Sequence, residues 1–503
     1  MKAGEGKVKM KIRFIEPSNA PYKDSMLNHF VYNKYIRTPS HGLMILAAVV
    51  ENYNKEHNID DDILIYSECI AKFTKRIWAD ILSADVVFIS IFTFSAPRGY
   101  EIADTIKAIS KDKTKVFIGG LHATLCYEES AQYCDYVMTG EGDEQILEVL
   151  SAIRNGNGIS IKEIKGIAYK NKDGKVVYTG KHRLPENIDV IPARHLMYGY
   201  TQAIKHEPVW AQVHASRGCP HDCAYCALVA AFGRCMRKRS KENVIADLED
   251  VLQFYKKNGP HRLANMLWIT DDNFFADRKW AMEVLNAVIK ADIARRYKYE
   301  FVIQARYEVG FDDEMLDLLK RAGFTQLAMG IEFLEDEEFA DYNKKCTRDE
   351  VINSIHNIQS HGLNVRGLFI MGADTHTKGV GKKLANFVIE HNICGVLIQS
   401  MYFIPGTPVY ETHKDKLLHT NWAKYDGNVV HKPEHMTPAE LQQEIIIASK
   451  TIYSTKRIIS ETIKRRGVNR ILFIGEYFWQ WSVRNNLKKE LKNLEKLGGG
   501  LNG

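Results

Sequence analysis

Nowhere does this chain offer the ~18 consecutive apolar residues that a membrane-spanning helix requires. Its opening run, Met1-Lys2-Ala3-Gly4-Glu5-Gly6-Lys7-Val8-Lys9, also lacks the apolar stretch of a secretory signal. A disulfide framework is missing as well: nine cysteines are an odd number and follow no pairing pattern. Together these absences predict a chain without a membrane span, kept in the reducing cytoplasm. Excess charge of one sign is absent too, since 68 Lys and Arg face 62 Asp and Glu for a net +6. That near-balance is not the footprint of a nucleic-acid-binding protein, so no nucleic-acid partner is expected. What 503 residues do provide is too much chain for one ordinary core, which predicts two or three domains.

The densest chemistry lies in Ala215-Ser216-Arg217-Gly218-Cys219-Pro220-His221-Asp222-Cys223-Ala224-Tyr225-Cys226. Three thiols in one short loop can converge on an inorganic cluster, because thiolates are the usual ligands of iron–sulfur centres. No fourth thiolate accompanies them, which leaves one iron with an open position for a substrate. The alternatives are unrelated buried thiols or a structural zinc loop, but zinc wants four protein ligands and no CxxC or histidine pair stands nearby to complete them. Cys235 reads as a small buried hydrophobe, and the isolated Cys346 and Cys394 as structural thiols.

The Cys-x3-Cys-x2-Cys spacing, with Tyr225 just before the last cysteine, resembles the signature of the radical S-adenosylmethionine (SAM) superfamily. The resemblance implies a 4Fe-4S cluster on Cys219, Cys223 and Cys226, with SAM on the open iron. It further implies reductive cleavage of SAM to a 5′-deoxyadenosyl radical and an external electron donor such as flavodoxin or ferredoxin.

Upstream, strands and helices alternate. Lys11 to Ile15, Ile63 to Tyr66, Val86 to Ile91 and Lys115 to Gly120 read as strands, and His41 to Val50 and Gly99 to Ser110 as helices. This is the pattern of a doubly wound parallel sheet, whose ligands sit at the carboxyl ends of strands. Those ends carry Phe94 and Ser95, then Gly119-Gly120-Leu121-His122-Ala123-Thr124, then Gly140, Glu141 and Gly142. The glycine-rich pair of loops resembles the cobalamin-binding domain that precedes the SAM domain in one radical SAM class, over roughly residues 10 to 150. The resemblance makes Phe94, Ser95, Gly119, Gly120, His122, Thr124, Gly140, Glu141 and Gly142 candidate cobalamin contacts. The Asp-x-His-x-x-Gly element that supplies a lower-face histidine in many cobalamin proteins is absent. A Rossmann-like domain that binds a nucleotide or nothing is the alternative, with His122 only bonding its loop.

Ile167 to Lys170 and Val176 to Tyr178 flank Asp173-Gly174 as a hairpin, and Leu184 to Arg194, with Pro185 and Pro192, reads as an extended linker. From Trp210 onward six strands recur, starting at Trp210, Met266, Glu300, Gln326, Arg366 and Val396, with helices between them. The count fits the (β/α)6 partial barrel of the resembled family. Polar groups end those strands: Asp271 and Asp272 resemble the place where the family binds the SAM amino group and Glu332 its ribose-hydroxyl acceptor, while Gln304 and Arg306 end the third strand, Arg306 suiting the SAM carboxylate in a charge-assisted fork, and Gly330 would admit the adenosine closely. Tyr225 belongs to the same cofactor shell, and Tyr402-Phe403-Ile404-Pro405-Gly406-Thr407-Pro408 resembles the adenine-side turn. A helix over Ala439 to Ile458, capped at Thr437, is expected to lid the barrel, and Gly498 to Gly503 to be disordered.

The expected organisation is therefore a cobalamin-binding Rossmann-like domain over 1–150, a hairpin and linker over 151–206, a radical SAM partial barrel over 207–410 and a helical region over 411–503. The expected reaction is methylation of an unactivated carbon, or of a phosphinate phosphorus, through methylcobalamin. Cyclisation or oxidation with the same cofactors is the alternative enzyme reading, and a cobalamin sensor the non-enzyme one. The substrate class stays open among peptide, lipid and small molecule. Direct radical methylation expects Phe94, His122 and Gly142 opposite Asp272, Arg306 and Glu332, with the linker folding the first domain over the barrel mouth.

Overall fold

The computed structural model describes residues 9–18, 39–111, 113–155, 160–206, 209–259, 265–464 and 467–499. They divide into two compact units, with the change at Val209/Trp210.

The first unit is built on a seven-stranded sheet. Its strands are β1 (Lys11–Glu16), β2 (Asp62–Ser67), β3 (Val86–Ser90), β4 (Lys115–Gly119), β5 (Tyr136–Met138), β6 (Ile167–Lys170) and β7 (Val176–Tyr178), in the order β2-β1-β3-β4-β5-β6-β7. The first five pair in parallel. Ile12, Phe14, Val86, Val87, Val116, Phe117 and Ile118 are buried, as the near-continuous apolar runs of a sheet covered on both faces require. Helices α1 (His41–His57), α2 (Lys75–Leu82), α3 (Ala96–Ser110), α4 (Leu121–Leu125) and α5 (Gln145–Asn155) connect or follow the strands. Strand order reverses between β1 and β3, a flavodoxin-like arrangement that opens a crevice at the carboxyl ends of those strands.

The hairpin differs in place from its expected position between domains. It forms the antiparallel edge of the first sheet, with Val137 opposite Ala168 and Tyr169 opposite Val177. Its own turn chemistry shows in the sequence, but the edge that receives it is a tertiary matter. The expected linker is likewise tied to the first unit: the Ala193 N–H donates to Met44 O at 3.0 Å and the Tyr198 N–H to Ile65 O at 2.9 Å.

The second unit carries six parallel strands, β8 (Ala211–Val213), β11 (Met266–Ile269), β12 (Glu300–Ala305), β13 (Phe324–Glu332), β14 (Asn364–Met371) and β15 (Gly395–Ser400), each beside the next in chain order. A two-residue ladder of β9 (Ser216–Arg217) and β10 (Arg237–Lys238) closes the cysteine loop, which contains α6 (Ala227–Phe232). Helices α7 (Lys241–Asn258), α8 (Arg278–Ala291), α9 (Asp313–Ala322), α10 (Arg348–Ser360) and α11 (Val380–Glu390) complete the (β/α)6 pattern. On α7 the buried stripe is Val244, Leu248, Val251, Leu252 and Tyr255, at helical spacing.

Beyond the barrel lie α12 (Pro438–Ile452), α13 (Thr455–Lys464) and α14 (Gly467–Gly499). Thr437 and Glu440 form a capping box before Pro438. The single helix expected to Ile458 breaks after Ile452. The region covers the open edge of the sheet. The Tyr453 hydroxyl accepts from the Val396 N–H at 3.0 Å, Glu476 accepts from it at 3.1 Å, and Gln480 Nε2 donates to Val396 O at 3.1 Å. These groups satisfy edge-strand backbone that would otherwise be open to pairing. Glu476 is itself held by Arg366 at 2.6 Å. Gly498 and Gly499 end α14, and residues 500–503 lie outside the described residues. Among the described residues no helix is long and apolar enough to cross a membrane.

Candidate active site

The cysteine loop leaves β8 at the carboxyl end of the six-stranded sheet, and neighbouring strand ends fix its course. Asp271, fully buried after β11, accepts from the Ala215 N–H at 2.7 Å and the Ser216 hydroxyl at 2.6 Å. Burial pushes its carboxyl up to about 7. Asp272 accepts from the Gly218 N–H at 2.8 Å. Gly218 sits at φ +90°, and a Cβ there would stand 2.0 Å from Cys235 O, so only glycine fits. Tyr342 O accepts from the Ala224 N–H at 3.0 Å, and Asn343 donates to Asp222 O at 3.0 Å.

Within this frame Cys219, Cys223 and Cys226 are all half-buried. Burial raises the Cys219 thiol and pushes Cys226 up to about 11, and the neighbouring Cys223 adds to both. Cys226 caps α6, where the Leu228 and Val229 N–H groups pull its thiol back down. Asn273 Nδ2 stands 3.8 Å from the Cys219 sulfur and Arg306 Nη1 3.7 Å from that of Cys223. Such N–H groups stabilise thiolate. Among the described residues no three His, Cys, Asp or Glu are gathered around one metal ion. A cluster does not ask for that, because its thiolates ligate different irons.

Around the loop, the Tyr225 ring packs edge-on to Phe333 at 5.9 Å, and Gln304, next to last in β12, is half-buried. Arg306 is already engaged by Glu308 at 2.9 Å. Glu332 holds φ +69° at a register shift of β13, a strained conformation for a non-glycine residue. Its carboxylate lies 3.7 Å from the buried Lys344 Nζ, which also donates to Gly330 O. A Cβ on Gly330 would meet the Glu332 carboxylate at 2.6 Å, so this glycine makes room for Glu332.

In the first unit the loop ends converge at the carboxyl ends of β3, β4 and β5. Gly120 has φ +97°, and a Cβ there would collide with Ile91 backbone at 2.7 Å. Gly119 is less constrained, with Met138 O at 3.3 Å from a Cβ. Thr124 bridges two loops, donating to Gly120 O at 2.9 Å and accepting from the Gly140 N–H at 3.0 Å. Phe94 stacks on the exposed Phe92, and the buried Ser95 hydroxyl accepts from the Phe92 N–H at 3.1 Å. Glu141 is half-buried and Gly142 packs by Leu46. His122 departs from expectation. It is fully buried, 3.3 Å from the Thr93 hydroxyl and 3.8 Å from Glu129, and packs near Tyr100. Because α4 starts at Leu121, the side chain of the second helical residue turns into the core rather than onto the loop surface.

Residues 213–388 match the Radical SAM superfamily and residues 35–150 the B12 binding domain. The chain joins a radical SAM domain to an amino-terminal B12-binding domain. The chain is 24% identical over 398 residues to the bacteriochlorophyllide d C-12(1)-methyltransferase of Chlorobaculum tepidum, covering 79% of this chain and 80% of that one. It is 22% identical to the anaerobic magnesium-protoporphyrin IX monomethyl ester cyclase of Cereibacter sphaeroides, covering 78% and 64%. The radical SAM methyltransferase TsrM of Kitasatospora setae, solved with cobalamin and a 4Fe-4S cluster, shares the fold with TM-score 0.63 at 14% identity, covering 87% and 82%.

A radical SAM enzyme with this domain pair uses a 4Fe-4S cluster, SAM and cobalamin. Its thiols, mutually close, half-buried and faced by N–H donors, have the chemistry to hold the cluster. The fold brings Asp272, Arg306 and the three cysteines together and ties Glu332 to Lys344. It turns Asp271 into an anchor of the loop and His122 into core. Asn273, Glu308 and Lys344 are partners that spacing alone does not single out. Asn273 stands next to the Asp pair, which is the one local signal for it, whereas Lys344 follows Glu332 by twelve residues across a helix.

Proposed function

We propose that the enzyme methylates an unactivated carbon of its substrate, a phosphinate phosphorus being the variant with the same chemistry. The observation that carries the reading is the coexistence in one chain of a three-cysteine loop at a barrel mouth and a flavodoxin-like sheet whose Gly120 permits backbone approach no other residue allows. The methyltransferase relatives support it. When bound, the cluster supplies the electron that cleaves SAM, and cobalamin carries the methyl group.

In this reading Cys219, Cys223 and Cys226 hold the cluster, and Asn273 and Arg306 direct N–H groups at two of the sulfurs. Tyr225, Asp272, Gln304 and Arg306 orient the methionine end of SAM, with Arg306 shared between that carboxylate and Glu308. Glu332 accepts from the ribose hydroxyls, its strained backbone pre-aimed by Lys344 and by the space at Gly330. Phe94, Ser95, Gly119, Gly120, Thr124, Gly140, Glu141 and Gly142 receive cobalamin, without an Asp-x-His-x-x-Gly histidine. A flavodoxin or ferredoxin in the cytoplasm supplies electrons. Glu16 and Ser18, at the end of β1 on the switch-point crevice, belong to the same rim.

Product analysis with SAM labelled at its methyl group tests the proposal. Label in the product as an added methyl supports it. An unmethylated, cyclised or oxidised product, formed with 5′-deoxyadenosine, would replace it with the second reading, which the cyclase relative favours.

A further inference from the structure

Two features of the carboxy-terminal helices are not used in covering the barrel edge. The first is apolar side chain in solvent: Ile459 and Ile463, one turn apart on α13, are 58% and 71% exposed, and Phe478 and Trp481 on α14 are 58% and 42% exposed. The second is charge. From Thr455 to Gly503 there are 11 Lys and Arg against 4 Asp and Glu, whereas the rest of the chain has 57 basic and 58 acidic residues. The net positive charge of the whole chain therefore resides in this stretch. Two of its acids do not offset it at the surface, because Glu476 and Glu490 are buried against Arg366 and Lys424. On α14 the exposed Phe478, Trp481, Lys488, Lys489, Lys492 and Lys496 fall within about 100° of arc. The face runs about 27 Å, aromatic at one end and lysine along the rest.

We infer that this face docks on an anionic phospholipid bilayer, with the aromatics and isoleucines at the hydrocarbon boundary and the lysines among the phosphates. A helix lying in the headgroup plane needs an amphipathic face rather than a long apolar run, and Trp is at home at that depth. Lysines near the surface draw such a helix to anionic lipid, an attraction that salt screens. A second copy is a poor occupant, since two equally cationic faces would meet. Nucleic acid would suit the lysines but offers the isoleucine pair no hydrocarbon to enter.

The test sediments the full chain with vesicles of phosphatidylcholine containing about one third phosphatidylglycerol, and with phosphatidylcholine alone, at low and high salt. Binding to the anionic vesicles should be about tenfold tighter and should weaken with salt. Phe478→Ser with Trp481→Ser, and separately Lys488→Glu with Lys492→Glu, should each lose about tenfold in binding while unfolding midpoint and 5′-deoxyadenosine production hold, because all four side chains lie in solvent. Absence of sedimentation with anionic vesicles overturns the inference. So does a concentration-dependent dimer that the aromatic variant abolishes, or a DNA duplex that binds through the same residues and displaces the vesicles.

Discussion

At Cys219, Cys223 and Cys226 a change to alanine removes one of the three proposed cluster ligands. Each variant is expected to lose cluster iron and all 5′-deoxyadenosine production, measured by iron assay and chromatography. Cys346→Ala and Cys394→Ala should keep both, because Cys394 is buried against Gln326 at 3.1 Å and Cys346 stands apart from the triplet in the chain. Lys344→Met strips the counter-charge from a carboxylate that burial already pushes up. Its expected effect is a KM for SAM about tenfold higher, the worth of one charge-assisted bond, with iron content unchanged and partial recovery in Lys344→Arg. The three-cysteine loop is visible from spacing alone, since residue identity and separation are local properties. Lys344 is not, because its partner is chosen by the path of the chain between β13 and α10.

At the scale of the element, an added side chain at Gly119 and at Gly120 should have two different effects. Gly120→Ala places a Cβ 2.7 Å from Ile91 O in a left-handed conformation, so it should destabilise the first unit by about 1–3 kcal/mol in chemical denaturation. Gly119→Ala meets only Met138 O at 3.3 Å and should fold normally, so its cobalamin absorbance reports on the ligand surface itself. Strand β1 ends in Glu16, buried and accepting from the Ser67 hydroxyl at 2.5 Å and the Ser40 N–H at 3.0 Å. Burial raises this carboxyl to about 7. The folded state thus keeps a proton that the unfolded chain releases near its ordinary value. The stabilisation is full below that value, falls as pH rises toward 7 and is gone above it, by at most about 3 kcal/mol. Glu16→Gln should flatten this slope between pH 5 and 8 in denaturant midpoints of the first unit.

In the second unit as a whole, α12 to α14 cover the β15 edge of the sheet. Removing the chain from Thr437 onward would bare the Val396 N–H and carbonyl and leave Arg366 without Glu476, so the truncated protein should aggregate through β15 in light scattering. The sequence by itself determined the strand–helix alternation behind both parallel sheets, the six-strand count and the gathering of three thiols in one loop, because apolar periodicity and the Cys-x3-Cys-x2-Cys spacing are written in neighbouring residues. Only tertiary structure decided that the hairpin at Ile167 joins the edge of β5, that His122 turns into the core and that Asp271 braces the loop at Ser216. It also decided that Tyr453, Glu476 and Gln480 converge on Val396. In each of these cases the partner lies far along the chain or the side chain's direction depends on where its element packs, and a buried polar group takes whichever hydrogen-bond partner the fold brings within reach.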